Sequence, residues 1–222
     1  MFYIKTFDTL DSTNDECKQH YHKYQDRSVI IAKRQTKGRG RFDRVWESEK
    51  DLTFSILYKK DLPFPLIFPL AVVHACKRVN KVAMIKWPND ILIDEKKVCG
   101  ILIERIYEGA NVAAMVAGIG INLSEKSDVL QQKATYVKED AKQLLTIVLE
   151  ELACLEKKSK QQLLKEYQSY HLLYKKDLVL DDVCYQVQEV QLDGSLKVES
   201  KEGVRYLYGE EVTLEQMYKE DL

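Results

Sequence analysis

The cysteines of this chain cannot all be paired. The five, Cys17, Cys76, Cys99, Cys154 and Cys184, are odd in number, widely scattered and contain no Cys-x-x-Cys spacing. That argues against both a disulfide framework and a zinc knot. Histidine offers no substitute: His20 and His22 stand one apart on an expected helix, point in different directions and have no Cys/His cluster beside them. No apolar run reaches membrane-spanning length. The N-terminal Met-Phe-Tyr-Ile-Lys-Thr-Phe-Asp lacks the long apolar core of a signal peptide, so the expected compartment is the cytoplasm. Neither sign of charge dominates. With 34 Lys+Arg against 35 Asp+Glu the net charge is −1, which disfavours a general nucleic-acid binder and a membrane-surface protein. Repeats and low-complexity tracts are missing as well. What remains is 222 residues, 45% apolar and 31% charged, an ordinary globular composition for one large core or a domain with a small appendage.

Against that neutral background residues 33–44 stand out, with six cations packed around Gly38 and Gly40 and a single acid among them. Charge repulsion and glycine backbone freedom predict a loop that stays mobile until an anion neutralises it. Arg39 and Arg41 can each grip a phosphate or carboxylate through paired donors, so a phosphorylated small molecule is the natural filler. A solvated basic surface loop is the alternative.

The rest of the chain reads as α+β. Thr13 is the expected cap of a polar helix running to about Tyr24, with Glu16 returning the bond. Strands are predicted over 28–33 and 52–58, and a helix from near Pro69 to Val79. Further strands follow at 84–87, 91–94, 97–106 and 112–123, joined by turns at 94–96 and 108–111. Helical periodicity free of glycine and proline covers 139–156 and 159–174. Beyond Lys175 come short strands at 178–180, 184–192, 195–199 and 204–208, with Asp193-Gly194 as a strong hairpin signal. A boundary near residue 176 is expected, separating a larger domain (1–175) from a small β-barrel (176–222).

Two further stretches carry chemistry. In Lys86-Trp87-Pro88-Asn89-Asp90 the proline interrupts any ladder, forcing an edge or a bulge and leaving Asn89 and Asp90 exposed past a strand end. Lys97 enters an otherwise apolar strand. Facing inward, its ammonium would sit in a low-dielectric pocket and need an anion; facing outward, it is an ordinary hairpin lysine. Gly100 permits close backbone approach. Gly118-Ile119-Gly120-Ile121-Asn122 places two glycines in a strand, tolerated where something packs close. That strand, 112–123, is a candidate edge strand, open to a self-pair or to a partner's hairpin.

Ser12-Thr13-Asn14, Gln35 before Gly38-Arg39-Gly40-Arg41, Trp46, the run 86–90, Lys97-x-x-Gly100 and Gly118–Asn122 occur in the order and spacing of biotin–protein ligases, which the chain resembles strongly over about residues 8–125. The resemblance implies a mixed β-sheet with flanking helices, the class II synthetase-like catalytic domain, followed by an SH3-like barrel. It also implies an activity: biotin and ATP form biotinyl-5′-AMP and pyrophosphate, and biotin then passes to a lysine of a biotin carboxyl carrier protein, an acetyl-CoA carboxylase subunit.

By that resemblance Lys97, Arg41 and Asp90 are catalytic. Lys97 is assigned to the bridging oxygens, and Asp90 to orienting metal, ribose or the incoming amine. Ser12, Thr13, Asn14, Gln35, Gly38, Arg39, Gly40, Arg41, Lys97 and Gly100 would bind biotin. Arg39, Arg41, Trp46, Asn89, Lys97 and Asn122 would bind ATP or the adenylate. Mg²⁺ would be carried mainly by the ATP phosphates, with no protein metal site. The loop 36–48 would close over the adenylate, with Trp46 as lid or, alternatively, as an ordinary core anchor. Ser12 and Thr13 can equally be helix caps.

Three departures accompany the match. Phe42-Asp43 stands where many members have a glycine, and a barrel glycine is replaced near Gln186. The motifs also begin by Ser12, without the winged helix of repressor-type members, so a ligase without DNA binding is expected. A homodimer stays open. The rival readings are a lipoate–protein ligase, a non-catalytic module that sequesters biotin or its adenylate, and a nucleic-acid binder using residues 33–44.

Overall fold

The computed structural model describes residues 1–46, 50–62, 64–125, 133–209 and 212. Its frame is a seven-stranded mixed sheet in the order β1-β2-β3-β7-β6-β5-β4. The strands are β1 (Tyr3–Leu10), β2 (Ser28–Gln35), β3 (Leu52–Tyr58), β4 (Met84–Lys86), β5 (Asp90–Ile93), β6 (Lys96–Glu108) and β7 (Asn111–Ile121). Only β1 and β2 pair in parallel; the other neighbours are antiparallel.

Strand alternation divides the sheet into two faces. Phe54, Ile56 and Tyr58 of β3, with Met115, Ala117, Ile119 and Ile121 of β7, face the main apolar core. Two helices cover that side, α2 (Ile67–Arg78) and α3 (Ala141–Leu155). Leu57, Ala114 and Val116 face the other way, onto Cys17 of α1 (Thr13–Gln19). A fourth helix, α4 (Lys160–Tyr170), opens with a capping box between Ser159 and Gln162. It ends where Leu172 N–H donates to the Ile85 carbonyl at 2.9 Å, drawing the chain to the edge of the sheet. No described helix is long and apolar enough to cross a membrane.

Past this point β8 (Asp177–Leu180), β9 (Val183–Val190), β10 (Leu196–Ser200) and β11 (Gly203–Leu207) form an antiparallel meander. Among the described residues it is an open four-stranded sheet, not the closed barrel expected. Its inward residues Leu178, Val187, Val190, Leu196, Val198 and Leu207 join the same core as α2 and α3. A sheet with an apolar partner of this size needs no closure to hide its face.

Most elements fall within two residues of expectation. The differences have identifiable causes. Strand β1 was not anticipated, because it is an edge strand with mostly exposed side chains and no apolar run. The polar helix is shorter: α1 stops at Gln19, and a 3₁₀ turn covers Tyr21–Lys23. Its cap is Ser12, whose Oγ accepts the Asp15 N–H, while the Thr13 hydroxyl turns to Gln35. Strand β7 is not an edge. It lies between β3 and β6, so its backbone is paired on both sides and cannot take up another chain.

Candidate active site

The glycines of β7 build the floor of a cavity on the α1 face. Gly118 and Gly120 continue the alternation set by Ala114 and Val116, and Gly100 of β6 lies directly opposite Gly120. Something fills each missing side chain. A Cβ on Gly118 would collide with Asn14 Oδ1, and one on Gly120 with the Trp46 indole. At Gly100 a Cβ would stand 3.0 Å from the indole and 3.1 Å from Lys97 Nζ. Two positions along one strand face, about 7 Å apart, thus carry an amide wall and a cation wall. The cavity between them measures about 360 Å³, inside the range of roughly 300–1,000 Å³ typical of small-molecule sites.

The amide wall is buried and bonded to itself. Gln35 Oε1 accepts from Thr13 N–H at 2.8 Å and lies 3.1 Å from Thr13 Oγ1. Ser55 Oγ is 2.7 Å from Thr13 Oγ1 and 2.5 Å from Asn14 Oδ1. Asn14 Nδ2 donates to Glu104 Oε2 at 2.7 Å. Ser12, Thr13, Asn14 and Ser55 are all buried. The expected biotin-binding residues Ser12, Thr13, Asn14 and Gln35 are therefore together. Ser55 was missed, although it sits opposite Gly118 in the ladder; its signal was a lone serine in an apolar strand.

On the cation wall, Lys97 Nζ lies 2.7 Å from Asp90 and 5.7 Å from the Trp46 ring. Lys97 faces the cavity because of a defect in the sheet. From Ile91 to Leu92 the partner on β6 jumps from Cys99 to Lys97, leaving Val98 as an extra residue. Strict alternation would put Lys97 with Cys99 and Ile101 on the core face. The bulge reverses that parity. Lys86, which sequence analysis left without a role, is 3.8 Å from the same Asp90 carboxylate.

Trp87 is fully buried and donates from Nε1 to the Gly194 carbonyl at 2.9 Å, tying this wall to the β9–β10 turn. The Trp87–Pro88 bond is cis. Asn122 also lines the cavity, but its Nδ2 donates to the carbonyls of Lys97 and Thr135, so it braces the lysine's backbone.

The basic loop departs from expectation most. Residues 38–46 form a small closed structure, with Trp46 N–H donating to the Gly38 carbonyl at 2.9 Å and Arg39 bridged to Val45. Gly38 is obligatory there, since a Cβ would strike the Trp46 carbonyl. Gly40 has only an ordinary contact, 3.8 Å to the Arg44 carbonyl. Three of the six cations in 33–44 pair with acids from elsewhere in the chain: Lys33 with Asp8, Lys37 with Asp11, and Arg39 with Asp15 and Glu104. Arg41 donates to Asn89 Oδ1 at 3.1 Å and to the Gly209 carbonyl. Phe42, in place of a glycine, takes the left-handed φ of 55° that a glycine would favour. Glu47 and Ser48, the end of the expected lid, lie outside the described residues.

The Trp46 indole lies over Gly100 and Gly120, and its buried Nε1 has no partner. Among the described residues no three His, Cys, Asp or Glu side chains converge as a metal site. Asp90 faces two ammonium groups, those of Lys97 and Lys86.

The sequence profile of the Biotin/lipoate A/B protein ligase family matches residues 6–122. The bifunctional ligase/repressor BirA of Bacillus subtilis is 28% identical over 84% of this chain, which spans 66% of that relative's length. The biotin–[acetyl-CoA-carboxylase] ligase of Paracoccus denitrificans is 33% identical over 53% of each chain. The biotin protein ligase of Aquifex aeolicus, solved with biotin and ATP, superposes with a TM-score of 0.78 at 27% identity, covering 92% of this chain and 95% of that one. The matched segment holds the glycine floor, the amide wall and Lys97 on one continuous stretch, and this chain belongs to the Biotin/lipoate A/B protein ligase family.

Proposed function

We propose that this chain is an ATP-dependent biotin–protein ligase. It would join biotin to ATP and pass the biotin to a lysine of a biotin carboxyl carrier protein, such as an acetyl-CoA carboxylase subunit. One observation carries the reading: a self-bonded amide wall and a lysine-bearing wall stand on the same glycine floor. Biotin's ureido ring has two N–H donors and one carbonyl acceptor, and the amide wall supplies both complements: Thr13, Asn14, Gln35 and Ser55. Its carboxylate is an anion that must meet the α-phosphate of ATP, so cations have to be gathered at the meeting point.

In the first step a carboxylate oxygen of biotin attacks the α-phosphorus. The bond to the β-phosphate oxygen breaks and pyrophosphate leaves. Lys97, beside Gly100, is assigned to the charge that builds between the two reactants, with Arg41 at the loop's end of the cavity. Asp90 holds Lys97 in place and offers the carrier's incoming ammonium a carboxylate. Mg²⁺ enters with the ATP phosphates as part of the substrate. Trp46 covers the floor, and its indole N–H is a donor for a ligand oxygen. In the second step the carrier lysine, having given up its ammonium proton to solvent, attacks the acyl carbon as the neutral amine. The acyl C–O bond to the phosphate breaks, AMP departs, and the nitrogen sheds its extra proton as the amide forms.

The unit at 1–175 would carry this chemistry. The sheet of β8–β11 would brace it through the Trp87–Gly194 contact. The near-neutral charge supports leaving DNA and membranes out of the partner set and fits a cytoplasmic enzyme. A homodimer formed by strand pairing would have to use an outer edge, since β7 is enclosed. The test is incubation with biotin, Mg-ATP and a carrier domain, following pyrophosphate release and carrier mass. A biotin-sized mass gain is expected; a gain only with lipoate, or none, overturns the reading.

A further inference from the structure

Glu104 has no role in the chemistry above, yet three donors converge on it. Its position on β6 gives it the parity of Gly100 and Leu102, so it projects on the α1 face. Asn14 Nδ2 donates to Oε2 at 2.7 Å, Lys18 Nζ to Oε1 at 2.7 Å, and Arg39 Nη2 reaches Oε1 at 3.3 Å. Asp15 completes the cluster by pairing with both Arg39 and Lys18. One partly buried carboxylate therefore holds an amide of the pocket wall with one oxygen and Arg39 of the basic loop with the other. Charge-assisted bonds of this kind are the stronger class of hydrogen bond.

We propose that Glu104 is a positioning residue that ties the basic loop to the amide wall. The proposal rests on the ligase reading. Asn14 is fixed from two sides, by Ser55 through Oδ1 and by Glu104 through Nδ2, and it fills the space over Gly118. A ligand that engages Asn14 thereby restrains Glu104. Glu104 in turn fixes the anchor of Arg39, from which the loop runs across the cavity to Trp46. One carboxylate thus braces the wall and the loop together, and the adenylate between them is held until a carrier lysine arrives.

Two variants separate this role from mere charge balance at the surface. Glu104→Gln keeps an oxygen that can accept from Asn14 but loses the charge that holds Arg39 and Lys18. Glu104→Ala loses both. Biotin affinity is read by calorimetry without ATP, and escape of biotinyl-AMP is read as adenylate released to the medium per biotin transferred. Glu104→Gln should leave biotin affinity near the wild-type value while raising escape about tenfold or more, the scale of a lost charged hydrogen bond. Glu104→Ala should weaken both. Glu104→Gln combined with Arg39→Ala should leak no more than Arg39→Ala alone. Wild-type retention in Glu104→Gln, or additive leakage in the double variant, overturns the proposal. So does an equal fall in stability and turnover with the escape ratio unchanged. A wild-type chain that forms no biotinyl-AMP overturns the ligase reading and the proposal with it. One that forms it, while Glu104→Gln retains it normally, overturns the proposal alone.

Discussion

The two walls of the cavity are built by opposite means. The amide wall is buried, and its polar side chains are partnered within the protein: Gln35 with Thr13, Thr13 with Ser55, Ser55 with Asn14. The cation wall is partly exposed and consists of pairs between opposite charges, Lys97 with Asp90 and Arg39 with Asp15 and Glu104. A neutral, donor-and-acceptor ligand group is best met by partners already in place, because an unmet buried polar atom is costly. Charged reactants instead need ion pairs that can be exchanged, and surface ion pairs are cheap to break. The difference teaches that recognition is prepaid on one wall and deferred on the other.

The largest expected effect tests the deferred wall. Lys97→Ala should slow pyrophosphate release by about a hundredfold or more, the scale of losing one preorganised charge-stabilising donor, with biotin affinity much less affected. Equal losses in both would erase the distinction between the walls. Ser55→Val should do the reverse. It leaves Thr13 and Asn14 short of a partner at about 1–3 kcal/mol, weakening biotin binding by roughly tenfold or more at that cost, which calorimetry would read. Unchanged affinity would mean that the amide wall does not meet the ligand.

His171 sharpens the contrast, since it is as buried as the amide wall but neither ring nitrogen has a partner. Burial pushes its pKa down from 6.5 to about 3. The unfolded chain therefore binds a proton there that the folded chain refuses. Stability from this group is intact above about pH 6.5 and falls as pH drops toward 3, by up to about 1.4 kcal/mol per pH unit. Denaturant melts between pH 7 and 5 should show the fall, and His171→Leu should flatten it. The smallest effect belongs to the loop. Phe42→Gly relieves a left-handed side chain but gains unfolded-state entropy, so stability should move by less than about 1 kcal/mol. A larger loss would show that the Phe42 ring under the Arg41 guanidinium, 4.9 Å away, holds the loop.

How much of this could be read in advance varies with how local the cause is. The hairpin at Asp193-Gly194, the strand over 52–58 and the turn at 108–111 follow from local residue chemistry and stand as expected. So does the meeting of Ser12, Thr13, Asn14 and Gln35, because a cap and a strand end brought them to one cavity. Strand β1 escaped notice, being mostly exposed and at an edge, and Ser55 escaped because a single serine in an apolar strand does not announce a ligand. The partners of the basic loop escaped for a similar reason. Its neutralising acids, Asp8, Asp11, Asp15 and Glu104, lie outside it in sequence.

By itself the sequence determined the inventory: the strands other than β1, the glycine floor, the cations and the amide-bearing turn, all set by residue type and short-range spacing. Only the tertiary structure decided which way the decisive groups face. Lys97 reaches the cavity because Val98 is an extra residue against β5, and β7 is closed because β3 and β6 flank it. Side-chain parity along a strand is a local rule until a neighbouring strand shifts it, and the neighbour is supplied by the fold.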